Sequence, residues 1–290
     1  MGGAAGAFST REPVGLLACA GRFPVVFAEK ARASGIPVVC LGVGGMADPA
    51  LRHLCAEFRW LRRASLGRII HTFRRAGVTR WTMAGKFHKH LAFRPWRWVQ
   101  FVPDWRMLRF WYLRRRAGNN DDSILLGLIR EFRANRLECV SALDLCPELL
   151  VREGVLTRRR PSAAEDRDVA MGWVLAREMG RLDIGQSVMV RDRAVLAVEA
   201  IEGTDRAILR AGELCRRAGF VVVKVAKPAQ DMRFDVPTVG TQTIESMRAA
   251  GARVLAIEAG RTILLDEADT IALADRYGIA VTALRDPAAA

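Results

Sequence analysis

Charged residues crowd one short stretch of the chain: Lys224 stands near the end of the otherwise apolar run Phe220 to Val225, and Lys227, Asp231, Arg233 and Asp235 follow it. A second acidic group, Glu199, Glu202 and Asp205, closes another apolar run in Val198-Glu-Ala-Ile-Glu-Gly-Thr-Asp205. Carboxylates next to Lys and Arg at strand ends suit pyrophosphate chemistry, in which carboxylates hold Mg²⁺ or orient water and cations neutralise phosphoryl oxygens. The same composition describes a salt-bridged surface loop, and residue types alone leave both readings open.

The N-terminal half offers weaker signals. Ala18-Cys-Ala-Gly21-Arg22 stands where a strand-to-helix turn can cradle a phosphate on backbone N–H groups at a helix N-terminus. It is not GxGxxG, and most strand-to-helix turns carry a glycine for their geometry only. Gly85-Lys86 ends another expected strand and would add a charge at the same sheet edge, where ligands of doubly wound folds bind. Gly118-Asn-Asn-Asp121-Asp122 reads either as polar contacts to a sugar or base or as a helix cap.

These residues need elements to position them. Val14 to Gly21 and Ile36 to Val43 are unbroken apolar runs flanking a helical stretch, Phe23 to Ala33. Strand, helix and strand in this order form the βαβ unit of a parallel sheet, so the first half reads as Rossmann-like. A helix over Leu66 to Ala76, a strand over Thr79 to Ala84 and a helix over Asp122 to Asn135 continue the alternation. Arg158-Arg-Arg160 reads as a linker, giving domains over 13–157 and 158–290. Beyond it, Ser162 and Glu165 have capping-box spacing for a helix over Asp166 to Met179. Ser187 to Val190 and Val195 to Ala200 form an expected hairpin. Helices over Ile208 to Ala218, Thr241 to Ala250 and Glu267 to Tyr277, with strands at Phe220 to Val225, Val254 to Glu258 and Thr262 to Leu265, complete an α/β domain with a mixed sheet.

The whole chain has 290 residues with 45 Lys+Arg against 31 Asp+Glu, a net charge of +14, and is 51% hydrophobic. That composition excludes disorder and points to an anionic partner. Phe87 to Arg116 holds Trp96, Trp98, Trp105 and Trp111 among seven arginines. Such a segment can cover a core, rest on a lipid headgroup surface or stack bases; with no RRM, KH or zinc-finger signature beside it, nucleic acid ranks last. The six cysteines show neither CxxC nor paired His spacing, so they read as reduced core residues. No apolar run approaches the length of a spanning helix, and the expectation is a cytoplasmic protein.

Three longer motifs carry a resemblance: Leu182-Asp-Ile-Gly-Gln-Ser-Val188, Val195-Leu-Ala-Val-Glu-Ala-Ile-Glu-Gly-Thr-Asp205, and the run from Val223 to Gly240. Together with Gly15-Leu-Leu-Ala, Gly85-Lys86 and Asn120-Asp-Asp-Ser-Ile-Leu125, they resemble the LpxI-type UDP-2,3-diacylglucosamine pyrophosphatases of lipid A biosynthesis, from about Val14 to Leu284. The resemblance implies a Rossmann-like domain and a C-terminal α/β domain that hold a UDP-linked diacylated glucosamine between them and release UMP and 2,3-diacylglucosamine 1-phosphate with a divalent cation, Mg²⁺ first. It places the essential acid on Asp235 before Asp231, with Lys224 and Arg233 beside them. It gives Asp235, Asp231, Asp205 and Glu202 as the metal set, and Gly21, Arg22, Gly85, Lys86, Asp121, Asp122, Thr204, Lys227, Gln230 and Thr238 as substrate contacts. The substrate would bring the protein to the inner face of the cytoplasmic membrane; assembly, a homodimer included, is left open.

Two departures stand out. Cys19 and Ala20 occupy positions where the family is usually Gly-rich, adding Cβ atoms near the expected phosphate. The usual Gly-Asp-Asp is Asn120-Asp121-Asp122. The rival from another class is a non-catalytic binder of anionic lipid or nucleotide using the same cleft. A nicotinamide-dependent dehydrogenase is disfavoured, because Gly44-Gly45-Met46 stands where a ribose-binding acid would follow the second strand.

Overall fold

Val14-Gly-Leu-Leu-Ala18 is buried at every position, and a strand of that kind needs cover on both of its faces. The computed structural model, which describes residues 8–61, 65–86, 121–215, 219–228, 230–233 and 235–286, provides it in two compact units, Met1–Pro147 and Glu148–Ala290. The Trp/Arg segment from Phe87 to Arg116 lies outside the described residues, as do Asn119 and Asn120.

In the first unit the elements run β1 (Val14–Ala18), α1 (Phe23–Ala33), β2 (Val38–Val43), α2 (Leu51–Leu54), β3 (Glu57–Leu61), α3 (Leu66–Arg75), β4 (Arg80–Ala84), α4 (Asp121–Ala134) and β5 (Glu138–Cys139). The sheet is parallel throughout in the order β3-β2-β1-β4-β5. This is the doubly wound order whose direction reverses between β1 and β4. Trp81 stacks on Phe132 with ring centroids 4.1 Å apart, joining β4 to α4, and the ring of Phe73 on α3 fills the space that a side chain at Gly15 would take. Edge strand β3 does not stand out in the sequence: Glu-Phe-Arg-Trp-Leu alternates polar and apolar and is exposed or half-buried along its length.

The second unit contains β6 (Gly154–Val155), α5 (Ala163–Arg181), β7 (Ser187–Arg191), β8 (Ala194–Val198), α6 (Thr204–Leu214), β9 (Val221–Lys224), β10 (Thr238–Val239), α7 (Thr241–Ala250), β11 (Val254–Glu258), β12 (Ile263–Leu264), α8 (Glu267–Tyr277) and β13 (Ala280–Leu284). Its six-stranded sheet has the order β6-β13-β11-β9-β7-β8 and is mixed: β9, β11 and β13 are parallel, while β7 runs against both β8 and β9. Alternate residues face opposite layers. Val221 and Val223 pack under Val169, Trp173 and Ala176 of α5, whereas Val222, Leu255 and Ile257 pack with Ile208, Ile244 and Met247 of α6 and α7.

Residues 148–157 fall in this second unit, and Gly154–Val155 pairs antiparallel with β13. Ile263–Leu264 does not join the large sheet but pairs with β10. Helix α6 begins at Thr204, a turn before the expected Ile208, because Gly203 at φ +84° turns the chain into it. The capping box forms as expected: Ser162 Oγ accepts from the Glu165 amide, and the Glu165 carboxylate accepts from the Ser162 amide at 2.8 Å.

The β7–β8 turn is held from outside. Asp192 and Arg193 have φ +49° and +59°, left-handed conformations that cost non-glycine residues about 1–2 kcal/mol each. Asp168 of α5, 6% exposed, accepts both of their amides, at 2.9 and 2.7 Å. Asp168→Ala leaves those amides without the carboxylate and should cost about 2–3 kcal/mol in a denaturant titration of the full chain; an unchanged midpoint would show that the turn holds itself.

Candidate functional site

Two sheet edges gather the chemistry expected from the sequence. In the first unit, Gly21 and Gly85 have φ +101° and +94° and follow β1 and β4, the strands at the switch in sheet order. Ala20 and Lys86 form an antiparallel bridge, with the Lys86 amide 2.7 Å from the Ala20 carbonyl, so the two loops are tied together. A Cβ on Gly85 would lie 2.6 Å from that carbonyl, which explains the glycine. Arg22 forms a two-point ion pair with Glu29 at 3.0 and 3.1 Å. Cys19 is only 2% exposed, and burial pushes its thiol up to about 11, so it behaves as a neutral core group rather than as a feature of the loop surface. Asp121 and Asp122 are the first residues of α4.

In the second unit the antiparallel register places Ser187, the first residue of β7, opposite Lys224, the last of β9. Glu199 follows β8, and its amide donates to the Ser187 carbonyl at 2.9 Å. Thr204 opens α6. These four side chains form a buried chain at the sheet edge: Lys224 donates to Thr204 Oγ1 at 3.1 Å, Thr204 donates to Glu199 Oε1 at 3.0 Å, and Ser187 donates to Glu199 Oε2 at 2.6 Å. Lys224 also donates to the carbonyl of Thr238 at 2.9 Å, so Thr238 contributes its backbone here while its hydroxyl turns to the Val236 carbonyl.

Beyond Lys224 the chain is pinned repeatedly. Glu258, 1% exposed at the end of β11, accepts the Ala226 amide at 2.8 Å and is flanked by Arg261 at 3.4 Å and Arg177 at 3.6 Å. Lys227 pairs with Asp183 at the end of α5, and the Lys227 amide donates to Gln230 Oε1 at 2.8 Å. Arg233 grips Asp231 through Nη2 at 2.6 Å and Nε at 3.0 Å, and that hydrogen bonding holds the Asp231 carboxyl below its ordinary range. For Glu202, burial opposes ionisation, but its own backbone amide and the Arg210 guanidinium at 2.6 Å outweigh it and keep the carboxyl low.

Two expected acids remain uncommitted. Among the described residues the Asp235 carboxylate has no partner, and Asp205 Oδ1 is buried without a hydrogen bond. Gln186 Oε1, just before β7, Gln230 Nε2, beyond β9, and Thr262 Oγ1, beyond β11, are buried and unpartnered as well, each near a strand end of this edge. Buried polar atoms without a protein partner are commonly completed by water or a ligand.

The LpxI N-terminal domain model matches residues 13–149, and the LpxI C-terminal domain model matches residues 152–282. The chain belongs to the LpxI family. One relative, the UDP-2,3-diacylglucosamine pyrophosphatase LpxI of Caulobacter vibrioides, is 33% identical over 278 residues, covering 92% of this chain and 96% of that protein.

For an LpxI-family chain the question of a metal is direct. No three His, Cys, Asp or Glu side chains converge among the described residues, so Asp235, Asp231, Asp205 and Glu202 do not form a ready-made cage. Asp231 and Glu202 are taken by arginines, leaving Asp205 and Asp235. Mg²⁺ commonly takes one or two carboxylates and completes its octahedron with substrate phosphates and water, and the orphaned Oδ1 of Asp205 suits that arrangement. Asp183 and Ser187 lie within the Leu182 to Val188 motif without being marked there as site residues, and Glu258, Arg177 and Arg261 do not stand out in the sequence of this LpxI-family protein. Glu258 merely ends an apolar strand, and its arginines come from Arg177 on α5 and from the turn before β12.

Proposed function

We propose that this protein hydrolyses the pyrophosphate of UDP-2,3-diacylglucosamine to UMP and 2,3-diacylglucosamine 1-phosphate, as a step in lipid A biosynthesis. The observation that carries the reading is the end-to-end similarity to a pyrophosphatase of that name, with both LpxI domains matched. Water adds to one phosphorus, the bond from that phosphorus to the bridging oxygen breaks, and the bridging oxygen leaves with the other phosphate. Asp235 orients the water and accepts its proton. Lys224, held at the end of β9, balances charge that gathers on the phosphoryl oxygens. Mg²⁺, when bound, would neutralise the pyrophosphate, with Asp205 as the protein carboxylate that holds it.

The substrate carries acyl chains, so the protein would work at the inner face of the cytoplasmic membrane. The +14 charge and the Trp/Arg segment support attraction to anionic headgroups. No helix among the described residues is long and apolar enough to cross a membrane.

The test follows UMP and the glycolipid monophosphate released from UDP-2,3-diacylglucosamine by purified protein in Mg²⁺ or EDTA. Release of both products in Mg²⁺ and its loss in EDTA are expected; intact folding and tight substrate binding without turnover would instead indicate a lipid-binding relative. In parallel, replacing Trp96, Arg97 and Trp98 by Ala should weaken co-sedimentation with anionic liposomes, and unchanged sedimentation removes the membrane role of that segment.

A further inference from the structure

We infer that Glu199 is a positioning residue for the ammonium of Lys224, acting through the hydroxyl of Thr204; the inference rests on the pyrophosphatase reading for the role of Lys224. All members of the chain are buried: Ser187 at 0%, Thr204 at 4%, Lys224 at 5% and Glu199 at 7% exposure. A charged carboxylate and a charged amine this far from solvent are tolerated only when paired and hydrogen-bonded.

The shortest contacts fix the hydrogens in this chain, the Ser187 and Thr204 hydroxyls lying farther from each other, at 3.4 Å, than either lies from Glu199. An ammonium has donors and no acceptor, so at 3.1 Å Thr204 Oγ1 must accept from Lys224. Its single hydrogen is then committed to Glu199 Oε1 at 3.0 Å, while the Ser187 hydroxyl occupies Glu199 Oε2 at 2.6 Å. The carboxylate draws the Thr204 hydrogen toward itself and makes the oxygen a stronger acceptor for the lysine, a cooperative polarisation that low dielectric enhances. With the Thr238 carbonyl at 2.9 Å as a second fixed partner, the ammonium is held in one orientation at the edge from which the Asp231 and Asp235 segment departs.

Sequence position supports a dedicated arrangement. Glu199 and Thr204 flank a loop closed by its own contacts, with the Ala200 amide on Glu202 Oε2 at 3.2 Å and Arg210 on both Glu202 and the Val198 carbonyl. The loop, closed by these contacts, presents Thr204 between the carboxylate and the amine.

The test compares Glu199→Gln, Thr204→Val and Thr204→Ser for kcat and KM on UDP-2,3-diacylglucosamine, with circular dichroism and melting temperature as controls for folding. Gln keeps the shape of Glu199 without its charge, Val keeps the shape of Thr204 without its hydroxyl, and Ser restores the hydroxyl. Positioning predicts kcat per folded molecule lowered on the order of 10–100-fold in Glu199→Gln and Thr204→Val, with KM changed much less, and near-normal kcat in Thr204→Ser. Lower melting temperatures with unchanged kcat would overturn the proposal, because a merely structural pair would give that result.

A second readout does not need turnover. In protein labelled with ¹⁵N-lysine, a slowly exchanging ammonium signal lost in Lys224→Arg belongs to Lys224. That signal should vanish or broaden in Glu199→Gln and Thr204→Val and persist in Thr204→Ser; persistence in all three would overturn the chain. Absence of hydrolysis by the wild type would refute the proposed reaction alone, leaving this readout to decide the hydrogen-bond relay.

Discussion

Asp235→Asn should lower kcat by roughly 10²–10⁴-fold, the range expected when a positioned proton acceptor is removed, while leaving folding and substrate affinity near normal. The two acids differ in their engagement. Asp231 is held by Arg233 through two nitrogens and also accepts the Arg233 amide at 3.0 Å, contacts that brace the turn and hold its carboxyl below the ordinary range. Asp235 has no such engagement among the described residues; its amide donates to the Asp231 carbonyl at 3.1 Å, and its carboxylate is left for water or substrate. Asp231→Asn should therefore cost less than Asp235→Asn and show it partly as reduced order in the loop. If Asp235→Asn retained near-normal turnover and Asp231→Asn lost it, the proton acceptor would be Asp231.

Gly185→Ala should damage stability and turnover together. A Cβ built at Gly185 would lie 2.0 Å from the carbonyl oxygen of Glu199 and 2.8 Å from its carbon, so backbone must shift. Overpacking of this kind costs about 1–3 kcal/mol, roughly 3–10 °C in melting temperature for a unit of this size. The segment displaced carries Glu199, so kcat per folded molecule should fall too. Gly212→Ala provides the contrast. Its Cβ would stand 2.7 Å from both Cα and O of Ala250, where α6 meets α7 on one face of the sheet. It should lower the melting temperature by a similar amount while each folded molecule keeps its turnover. Equal loss of kcat in both variants would mean that the site responds to general loosening rather than to displacement of Glu199.

Unbroken apolar runs made β1, β2, β9 and β11 legible from sequence, because strands covered on both faces cannot afford polar residues, and the Ser162–Glu165 spacing announced α5. The harder elements lacked that signal. β3 alternates as a half-exposed edge does, and β13 is a short Ala-containing run, Ala-Val-Thr-Ala-Leu, easily passed over near the chain end. Site residues followed the same division. Lys224, Asp231 and Asp235 stand out because they interrupt or follow apolar sequence. The engagement of Glu202 by Arg210, 8 residues on, and of Lys227 by Asp183, 44 residues away, depends on which helix faces which loop, and such pairings leave no spacing to read. Ser187 falls in a sequence motif, but its pairing with Lys224 is visible only once the register sets the two opposite each other.

The turn between β7 and β8 bears on the order in which this unit is built. A hairpin that closes by itself usually places glycine or asparagine where the backbone turns left-handed, and can form early from local sequence alone. Asp192-Arg193 offers no such local preference for both positions, and the carboxylate that compensates belongs to Asp168, 24 residues earlier on α5. If the turn needs that carboxylate, as loss of stability in Asp168→Ala would show, closure of the hairpin is expected to follow docking of the helix. Ser187 and Glu199 meet only across the closed hairpin, so this candidate edge would then be expected to assemble late.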